Sequence, residues 1–254
     1  TIRGVRIYGQ SIRFSNRIHP LFTDEERWWC FACKKPTLPT TDKTCSKCLS
    51  DNLIPFNHVQ DFPLSHATPC VYILDPHPRK PHMMAWVCVD SYDDYWVAAE
   101  LLVDGTPDEV KLKVEETEKA LGLHVKLRLG DPNMLKAPSG VKRDVTWQQE
   151  FADAGLMVDL AQDSDVGRGR VNEFLQPQED NRLPRLHVHK RCTNTIAQLK
   201  RYVWDEYRSP ENRDIKQTPK DKNDDFPTML KYLMNALPTF TYLTRGPQII
   251  QARR

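Results

Sequence analysis

Residues 71–78 read VYILDPHP, an apolar, strand-like run that meets an aspartate and is stopped by prolines. A buried strand has no structural need for a carboxylate at its exit, because an ionised side chain is costly to remove from water without a partner. In open sheets with helices between the strands, ligands bind beyond the carboxyl ends of the strands. Asp75 is therefore the first candidate functional residue, and we expect its partners at the same end of a sheet.

The segments after this run alternate between strand-like and helix-like patterns. Strands are predicted at 70–74, 83–89 and 95–103, and together they predict an antiparallel meander. The patterns that follow predict a helix from Pro107 to Gly122, a strand at 124–129, a helix at 146–155, a strand at 156–161, a helix at 167–175, a strand at 186–190 and helices at 194–207 and 224–237. Three adjacent strands followed by alternating helices and strands predict an α/β fold with a mixed sheet flanked by helices.

Composition and charge exclude little. Hydrophobic residues make up 39% and charged residues 28% of the 254 residues, which is ordinary for a globular protein, and the net charge of +2 argues neither for nor against nucleic acid. No apolar run approaches the roughly 18–20 residues of a membrane span, so no membrane partner is expected. No secretory signal is visible, and because the chain begins with Thr1 we expect a fragment of a longer protein.

Four of the seven cysteines form two CxxC pairs, CFAC at 30–33 and CSKC at 45–48. Each pair places two thiolates on one tight turn, and together Cys30, Cys33, Cys45 and Cys48 predict a tetrahedral Zn²⁺ site in a small ribbon spanning about 28–50. A closed shell of four thiolates indicates a structural rather than a catalytic ion. The sequence leaves open whether this module contacts DNA or a partner protein. It also leaves open whether Trp28 and Trp29 form a platform on which bases stack or cover the neighbouring CxxC turn.

The other three cysteines, Cys70, Cys88 and Cys192, lie in apolar or mixed segments. We interpret them as inert core thiols of a protein in a reducing compartment, because a buried thiol behaves as a small hydrophobic group.

Three further carboxylates lie where they could meet Asp75. Asp131 ends the strand at 124–129, and Asp224 and Asp225 begin the last helix. Taken singly, Asp131 could cap a turn and either of the others could be a helix N-cap. Taken together, they would repel one another unless hard divalent cations such as Mg²⁺ or Mn²⁺ neutralised them, and two such ions about 4 Å apart can activate water for phosphodiester cleavage.

From about residue 69 to 237 the chain resembles the C-terminal nuclease domain of the large terminase subunit of tailed bacteriophages. The segments that carry the resemblance are ILDPHPRKPHMMAW (73–86), LRLGDP (127–132), WQQEFADAGL (147–156), RGRVNEFLQP (168–177), PRLHVHKRCTNTIAQLKRYVWDEY (184–207) and KNDDFPTMLKYLM (222–234). The resemblance implies an RNase H-like fold and a metal-dependent endonuclease that cuts concatemeric viral DNA during genome packaging.

The resemblance also assigns the site residues. Asp75 matches the metal ligand on the first strand, Asp131 the second ligand, and Asp224 with Asp225 the acidic pair near the last helix. The family often has histidine where this chain has Asp225 and a second aspartate where it has Thr228, so which of Asp224 and Asp225 contacts metal stays open.

A set of basic residues is expected to contact the DNA backbone without reading sequence. Five of them bracket Asp131 and two lie on a later helix: Lys126, Arg128, Lys136, Lys142, Arg143, Arg168 and Arg170. His77 and His82 near Asp75, His187 and His189 on one strand, and Glu100 at the end of another are weaker candidates, for which a structural role is the alternative.

Large terminases also carry a packaging ATPase. None of the ten glycines here precedes a lysine, so the sequence has no G-x-x-x-x-G-K-[ST] loop, and the motor is expected to lie outside it. The implied partners are double-stranded DNA, the packaging ATPase domain, the portal protein and the small terminase subunit, in the cytoplasm of the host cell.

We divide the chain into a motor-to-nuclease connector with the zinc module (1–62), the nuclease domain (63–240) and a C-terminal tail (241–254). The main hypothesis is a two-metal endonuclease. The alternatives are a non-cleaving module of the same fold that docks on DNA or on the portal, and, third, a junction resolvase or integrase.

Overall fold

The computed structural model describes residues 16–63, 65–135, 145–178, 182–206 and 215–245. The strands are β1 (Arg27–Cys30), β2 (Lys35–Thr37), β3 (Leu53–Phe56), β4 (Val59–Gln60), β5 (Pro69–Asp75), β6 (His82–Val89), β7 (Tyr95–Val103), β8 (His124–Gly130), β9 (Asp159–Leu160), β10 (Leu186–His189), β11 (Trp204–Glu206) and β12 (Ile215–Pro219). The helices are α1 (Pro107–Leu121), α2 (Trp147–Asp153), α3 (Asp165–Phe174), α4 (Thr193–Arg201), α5 (Asp225–Ala236) and α6 (Phe240–Arg245), with a 3₁₀ turn at Pro132–Leu135.

The main sheet of the described chain has the strand order β4-β10-β7-β6-β5-β8-β9. β6 runs antiparallel to both of its neighbours, whereas the pairs β5–β8, β8–β9, β7–β10 and β10–β4 are parallel. The carboxyl ends of every strand but β6 therefore lie at one edge. This mixed sheet flanked by helices confirms the predicted α/β class, and it is consistent with an RNase H-like fold.

Strand β5 sorts its side chains between the two faces of the sheet. Val71 and Ile73 are fully buried among residues of α3 and α5, whereas Tyr72 and Leu74 are fully buried on the opposite face, among residues of α1 and α2. Because successive side chains of a strand alternate, Asp75 belongs to the face of Val71 and Ile73, where α5 packs. The strand pattern thus directs this carboxylate toward α5.

Helix α5 is the most deeply buried helix at the site. Phe226, Met229, Leu230, Leu233 and Met234 are each at most 1% exposed, and each such side chain contributes about 1.5–3 kcal/mol of hydrophobic stabilisation. The helix begins at Asp225, with a proline in its first turn as the sequence predicts. The burial of this apolar face fixes the helix start, and therefore its acidic residues, against the sheet.

Helices α3 and α5 cross closely at Gly167. A Cβ atom built on Gly167 would lie well inside van der Waals contact of the Lys231 carbonyl oxygen and 2.8 Å from Cγ of Asn235. Gly169, two residues further along the same helix, has nothing within 4 Å of such an atom. A glycine is therefore required at 167 by packing, and not at 169.

The predicted elements are confirmed, with two differences in extent. The helix predicted at 194–207 ends at Arg201, because Tyr202 is extended (φ −69°, ψ 116°) and Trp204 donates its amide to the Asn16 carbonyl at 3.0 Å. The strand predicted at 156–161 is only the two residues of β9. At the end of the helix, the contact with Asn16 overrides the local helical pattern.

The N-terminal segment contributes to the main body as well as to the cysteine module. β1, β2 and β3 form a separate antiparallel sheet in the order β2-β1-β3. Phe22, fully buried, joins the core that α5 covers, and β4 pairs with β10 in the main sheet. The sheet and its core thus extend across the predicted boundary at residue 62, and the division into 1–62, 63–240 and 241–254 stays a prediction.

Two cysteines depart from the interpretation as free core thiols. Cys70 and Cys88 are directly opposite each other in β5 and β6, and they are joined by a disulfide. The interpretation of this pair was wrong, because pairing between cysteines cannot be read from spacing until the strand register is known. Cys192 is a free, fully buried cysteine, as expected. No helix in the described ranges is long and apolar enough to cross a membrane.

Candidate metal centres and active site

Asp75 and Asp131 lie side by side at the carboxyl edge of the sheet. Leu74 of β5 pairs with Gly130 of β8, and the Asp131 amide donates to the Leu74 carbonyl at 2.9 Å. The Asp131 side chain accepts two bonds, from the Asn133 amide (2.6 Å) and from the Tyr232 hydroxyl (3.3 Å). The register of two parallel strands therefore brings together the two carboxylates that the sequence placed 56 residues apart.

Asp225 reaches the same edge from the start of α5. Its Oδ2 accepts from Nε2 of Gln198 at 3.0 Å, and its Oδ1 lies 3.5 Å from Nζ of Lys80. Its side chain is 14% exposed, so a bound cation would have a solvent path to it. Asp224, the preceding residue, makes no side-chain capping bond to the helix, although its carbonyl accepts from the Thr228 amide at 2.7 Å.

Burial and neighbouring negative charges shift the pKa of two of these carboxylates. The pKa of Asp75 is raised well above its ordinary value, first by burial and then by the negative charges of Asp131, Asp225 and Asp224 in that order, with Lys80 opposing the shift. Burial and the charge of Asp225 also raise the pKa of Asp224. Asp75 therefore lies within electrostatic range of the other three aspartates predicted as the site, and we refer to these four residues as the acidic cluster.

This donor set fits hard divalent cations, which take carboxylate oxygens as ligands. In the described part of the chain, no three carboxylates bring their ligand atoms within 4.8 Å of one another, a test that the four cysteines alone pass. The aspartate oxygens are thus spread more widely than the ligands of a single compact site. A pair of ions about 4 Å apart spreads its ligands in the same way.

Several residues at this centre were missed by the sequence reasoning. Tyr232 donates to Asp131, and burial together with the charges of Asp131, Asp163 and Asp75 raises its pKa. Asp163, just beyond β9, forms an ion pair with the largely buried Lys231 of α5. Tyr232 lies in a segment that carries the resemblance and could have been found there, whereas the Lys231–Asp163 pair depends on the crossing of α5 over the sheet edge and leaves no local signal.

Of the four described basic residues that were predicted to contact DNA, three have partners within the protein. Arg128 pairs with Glu118 through two bonds of 2.7–2.8 Å, Arg168 pairs with Asp165 at 2.8 Å, and Arg170 donates to the Met234 carbonyl at the end of α5. Lys126 is exposed. Lys136, Lys142 and Arg143 lie outside the described residues, and a DNA contact by any of the seven stays a prediction.

The loop between β5 and β6 carries exposed cations to the acidic cluster. His77 accepts from the amides of Arg79 and Lys80, both at 3.1 Å, and His77 itself donates its amide to Nδ1 of His82 at 3.2 Å. His82 is buried against Trp147, with Nε2 bonded to the Gly105 carbonyl at 3.2 Å. Both histidines therefore organise the loop, and their bonds are structural.

The remaining candidates have structural partners as well. Glu100 accepts four hydrogen bonds of 2.7–2.9 Å from the backbone and side chains of Asn194 and Thr195, which anchors the start of α4. His187 stacks on Trp96 with ring centroids 4.1 Å apart. His189 bonds with Arg191. These contacts favour the structural alternative for all three residues.

The four predicted zinc ligands do converge. The Sγ atoms of Cys30, Cys33, Cys45 and Cys48 all lie within 4.8 Å of one another, with Cys30–Cys48 at 3.6 Å and Cys33–Cys45 at 3.9 Å. A tetrahedron with metal–sulfur bonds of about 2.3 Å has sulfurs about 3.8 Å apart, so the spacing suits Zn²⁺.

Hydrogen bonds to the sulfurs complete this arrangement. The Cys33 amide donates to Cys30 Sγ, and the Lys47 amide and the Thr37 hydroxyl lie 3.3–3.4 Å from Cys45 Sγ. These contacts lower the pKa of Cys45 to about 6, the Thr37 hydroxyl first and the Lys47 amide next. Trp29 is buried against Phe56, whereas Trp28 is partly exposed, so only Trp28 keeps a face for stacking.

Acidic residues thus lie at the carboxyl ends of neighbouring strands of the mixed sheet and at the start of α5, in a fold consistent with the RNase H-like class. The fold is shared with the large terminase from a thermophilic bacteriophage, at a TM-score of 0.52 and 17% identity over 72% of this chain and 43% of that one. A structure of the same terminase with ATP-gamma-S matches 91% of this chain and 52% of that one, at 15% identity and a TM-score of 0.52. The nuclease domain of the P22 large terminase matches 70% of this chain and 85% of that one, at 14% identity and a TM-score of 0.48.

The two matches to the thermophilic phage terminase confirm the predicted resemblance at the level of the fold. The chain spans less than half the length of the thermophilic phage terminase in the first of these matches. No protein-family model and no curated protein matches the sequence.

Proposed function

We propose that this chain is the nuclease part of a phage large terminase, a divalent-metal-dependent endonuclease that cuts concatemeric viral DNA during genome packaging. The observation that carries the proposal is the cluster of Asp75, Asp131, Asp224 and Asp225 at one sheet edge, in which each acid opposes the ionisation of Asp75. The fold shared with a large terminase supports the same proposal.

The chemistry follows from the donor set. Two Mg²⁺ or Mn²⁺ ions would supply a metal-activated water and stabilise the leaving oxygen of a phosphodiester. Asp75, Asp131 and the acidic pair Asp224/Asp225 would hold them, and bound cations would offset the negative charges that oppose the ionisation of Asp75. The Tyr232 hydroxyl, by donating to one Asp131 oxygen, leaves the other lone pairs of that carboxylate in a fixed orientation.

Exposed cationic side chains beside the acidic cluster are suited to contact the phosphates of a DNA backbone. Arg79 and Lys80 are exposed on the loop that His77 organises, and Lys80 lies within 3.5 Å of Asp225. Together with the predicted Lys126, Arg128, Lys136, Lys142, Arg143, Arg168 and Arg170, they would contact phosphates, which gives affinity without sequence readout. Cleavage is therefore expected to show little sequence preference.

The zinc module has a separate role in this proposal. Zn²⁺ held by Cys30, Cys33, Cys45 and Cys48 would stabilise a three-stranded sheet too small to form its own core. A closed shell of four thiolates has no open position for substrate.

The packaging partners are proposed from the terminase likeness. A large-terminase structure of the same fold was obtained with ATP-gamma-S, which supports a packaging ATPase as the neighbour of this domain in its parent protein. Double-stranded DNA, the portal protein and the small terminase subunit complete the proposed assembly, located in the host cytoplasm.

A non-cleaving module that docks on DNA or on the portal is the second candidate. It is favoured by the departures at Asp225 and Thr228, where the family often has a histidine and a second aspartate. In that case the acidic cluster would bind no catalytic ion, and the zinc module would remain loaded.

Plasmid nicking with and without Mn²⁺ tests the proposal, with calorimetric Mn²⁺ titration run on the same samples. The parent chain is expected to bind Mn²⁺ and nick supercoiled DNA, and Asp75→Asn is expected to lose both. Asp159→Asn, at an exposed position on the neighbouring strand β9, is the matched control and should keep both. Parent protein that holds zinc but neither binds Mn²⁺ nor nicks DNA would transfer the assignment to the docking module.

A further inference from the structure

Gln198 makes a two-point contact with the start of α5. Its Nε2 donates to Asp225 Oδ2 at 3.0 Å, and its Oε1 accepts from the Phe226 amide at 2.8 Å. One side-chain amide thus binds both the carboxylate of Asp225 and the backbone of the next residue. The two bonds fix the orientation of the Gln198 amide. In the flipped orientation Oε1 would face the Asp225 carboxylate, acceptor against acceptor, and Nε2 would face the Phe226 amide, donor against donor.

Gln198 is itself held by a rigid support. It lies on α4, where Thr195 and Leu199 are at most 1% exposed, and its own carbonyl accepts from the Tyr202 amide at 2.8 Å. The first turn of α4 is anchored by the four hydrogen bonds that Glu100 of β7 accepts. A continuous path therefore runs from the middle of the sheet through Glu100 and α4 to the Asp225 carboxylate.

We propose that Gln198 is a positioning residue of the carboxylate centre, and that Asp225 rather than Asp224 is the carboxylate that α5 presents to a divalent cation. The inference rests on the proposed metal-dependent function and deepens it by choosing between two adjacent acids. Gln198 touches neither substrate nor metal in this proposal and acts through Asp225.

The contacts of the two acids differ in the way that this assignment requires. Asp225 is oriented by a neutral amide that occupies one acceptor direction of Oδ2 and leaves the others free, and its second oxygen faces Lys80, whose side chain is 52% exposed. A cation can replace an exposed lysine at low cost. Asp224 has no side-chain bond to the helix start, and its carbonyl is used by the first turn of α5.

A neutral donor is also the partner that suits a metal ligand. An arginine or lysine fixed in the position of Gln198 would hold the carboxylate but would repel an arriving cation, whereas an amide orients it without adding charge. Residues that orient metal ligands by hydrogen bonds typically contribute 10- to 100-fold to metal affinity.

The test is Mn²⁺ affinity measured by calorimetry on the whole chain, for the parent and for Gln198→Met, which keeps the side-chain length but cannot hydrogen-bond. The affinity is expected to fall about 10-fold, by the usual effect of losing such a partner. If the methionine variant is poorly folded, Gln198→Asn takes its place in the test. Its amide is too short to reach Asp225, so the Mn²⁺ affinity should again fall about 10-fold. Gln149→Met is the control, since Gln149 donates to Asp153 on an exposed helix remote from the centre.

Double variants show which acid Gln198 acts through. In an Asp225→Asn background, Gln198→Met should have almost no further effect on Mn²⁺ affinity, whereas in an Asp224→Asn background it should still cost about 10-fold. Equal effects in both backgrounds, or unchanged affinity in Gln198→Met while Asp75→Asn has lost binding, would overturn this inference and leave the nuclease proposal intact. Binding that survives in Asp75→Asn would overturn both.

Discussion

Asp75 and Asp131 leave the sheet side by side, because Leu74 and Gly130 are paired in parallel strands and the Asp131 amide donates to the Leu74 carbonyl. Nothing in the fold requires this pair, and it carries an energetic cost. Burial and the charge of Asp131 are the two largest causes that raise the pKa of Asp75. The relationship therefore connects the sheet register to stability as well as to function.

Replacement of Asp75 by asparagine is expected to stabilise the protein in buffer free of Mg²⁺ and Mn²⁺. The folded-state pKa of Asp75 lies above its unfolded value, so the ionised group destabilises the fold fully above the folded pKa and not at all below the unfolded value of about 3.9. Thermal melts at neutral pH should show a higher Tm for Asp75→Asn, by about 2–4 °C for each kcal/mol of relieved repulsion. The difference should shrink as the pH falls toward 4.

Addition of Mn²⁺ should reverse this order. A cation bound to the native state stabilises the parent by mass action, whereas Asp75→Asn has lost the site. A parent Tm that Mn²⁺ leaves unchanged, or an Asp75→Asn variant that melts below the parent in metal-free buffer, would contradict the electrostatic account of the cluster.

The fold was largely readable from the sequence because its signals are local. The meander, α1 with its Thr106 capping box and the Gly122 stop at φ 62°, and the CxxC pairs each lie within a short window. The aspartates could be nominated because strand ends and helix starts are visible in the same way. Their convergence followed only from the strand order and the resemblance.

What could not be read are contacts between distant segments. Gln198 reaches Asp225 across 27 residues, and Cys70 meets Cys88 only because β5 and β6 pair in one particular register. Three of the predicted basic residues, Arg128, Arg168 and Arg170, have acidic or carbonyl partners inside the protein, and composition does not reveal such pairing. Contacts between distant segments determine what these side chains bind, and a short window of sequence does not include both partners.

Three buried histidines predict a loss of stability on acidification. Burial lowers the pKa of each of His19, His58 and His187 to about 4, which is below the unfolded value of about 6.5. Unfolding therefore takes up protons between these values, so the three histidines lower stability as the pH decreases from about 6.5 to 4; their combined contribution is roughly 3–4 kcal/mol per pH unit near pH 5, and the raised pKa of Asp75 and Asp224 offsets part of it.

The contribution of His187 to this pH dependence of stability can be measured with a variant that keeps the packing. His187→Phe retains the stack on Trp96 but removes one titrating group, so urea melts between pH 7 and 5 should show a smaller loss of stability on acidification than in the parent. A slope that His187→Phe leaves unaltered would mean that this histidine titrates normally.

Loss of one cysteine ligand should release zinc and unfold the ribbon. The four sulfurs have the spacing of a tetrahedral site, and the module has few buried apolar residues besides Trp29 and Phe56. Cys33→Ser is expected to reduce the zinc content from about one ion per chain to none and to expose β1–β3 to proteolysis. Cys192→Ser, at a buried cysteine outside the cluster, should keep its zinc. Retention of zinc by Cys33→Ser would contradict the four-thiolate site.

Alanine at Gly167 and at Gly169 should have opposite effects on stability. Alanine favours a helix over glycine by roughly 0.8–1 kcal/mol, so Gly169→Ala, which meets no neighbour, should be stabilising by up to about that amount. Gly167→Ala places a methyl group against the Lys231 backbone, and forcing α3 away from α5 should cost about 1–3 kcal/mol. Denaturant melts of the two variants measure the difference, and a stabilised Gly167→Ala would show that the helix crossing is loose.

Lys80 should contribute to DNA affinity once the acidic cluster holds metal. In the metal-free protein its ammonium lies 3.5 Å from Asp225, and it opposes the raised pKa of both Asp75 and Asp224. Bound cations would take over that role and leave Lys80, half exposed, free to contact a phosphate.

Lys80→Gln is therefore expected to weaken Mn²⁺-dependent DNA binding several-fold and to reduce its salt dependence by about one counterion. In metal-free buffer the same variant should lower the Tm, because the acids lose a neutralising charge. Lys113→Gln, on the exposed face of α1, is the matched control, and DNA titrations at two salt concentrations separate the two variants. Equal DNA affinities and equal salt slopes for Lys80→Gln and Lys113→Gln would confine Lys80 to its ion pair with Asp225.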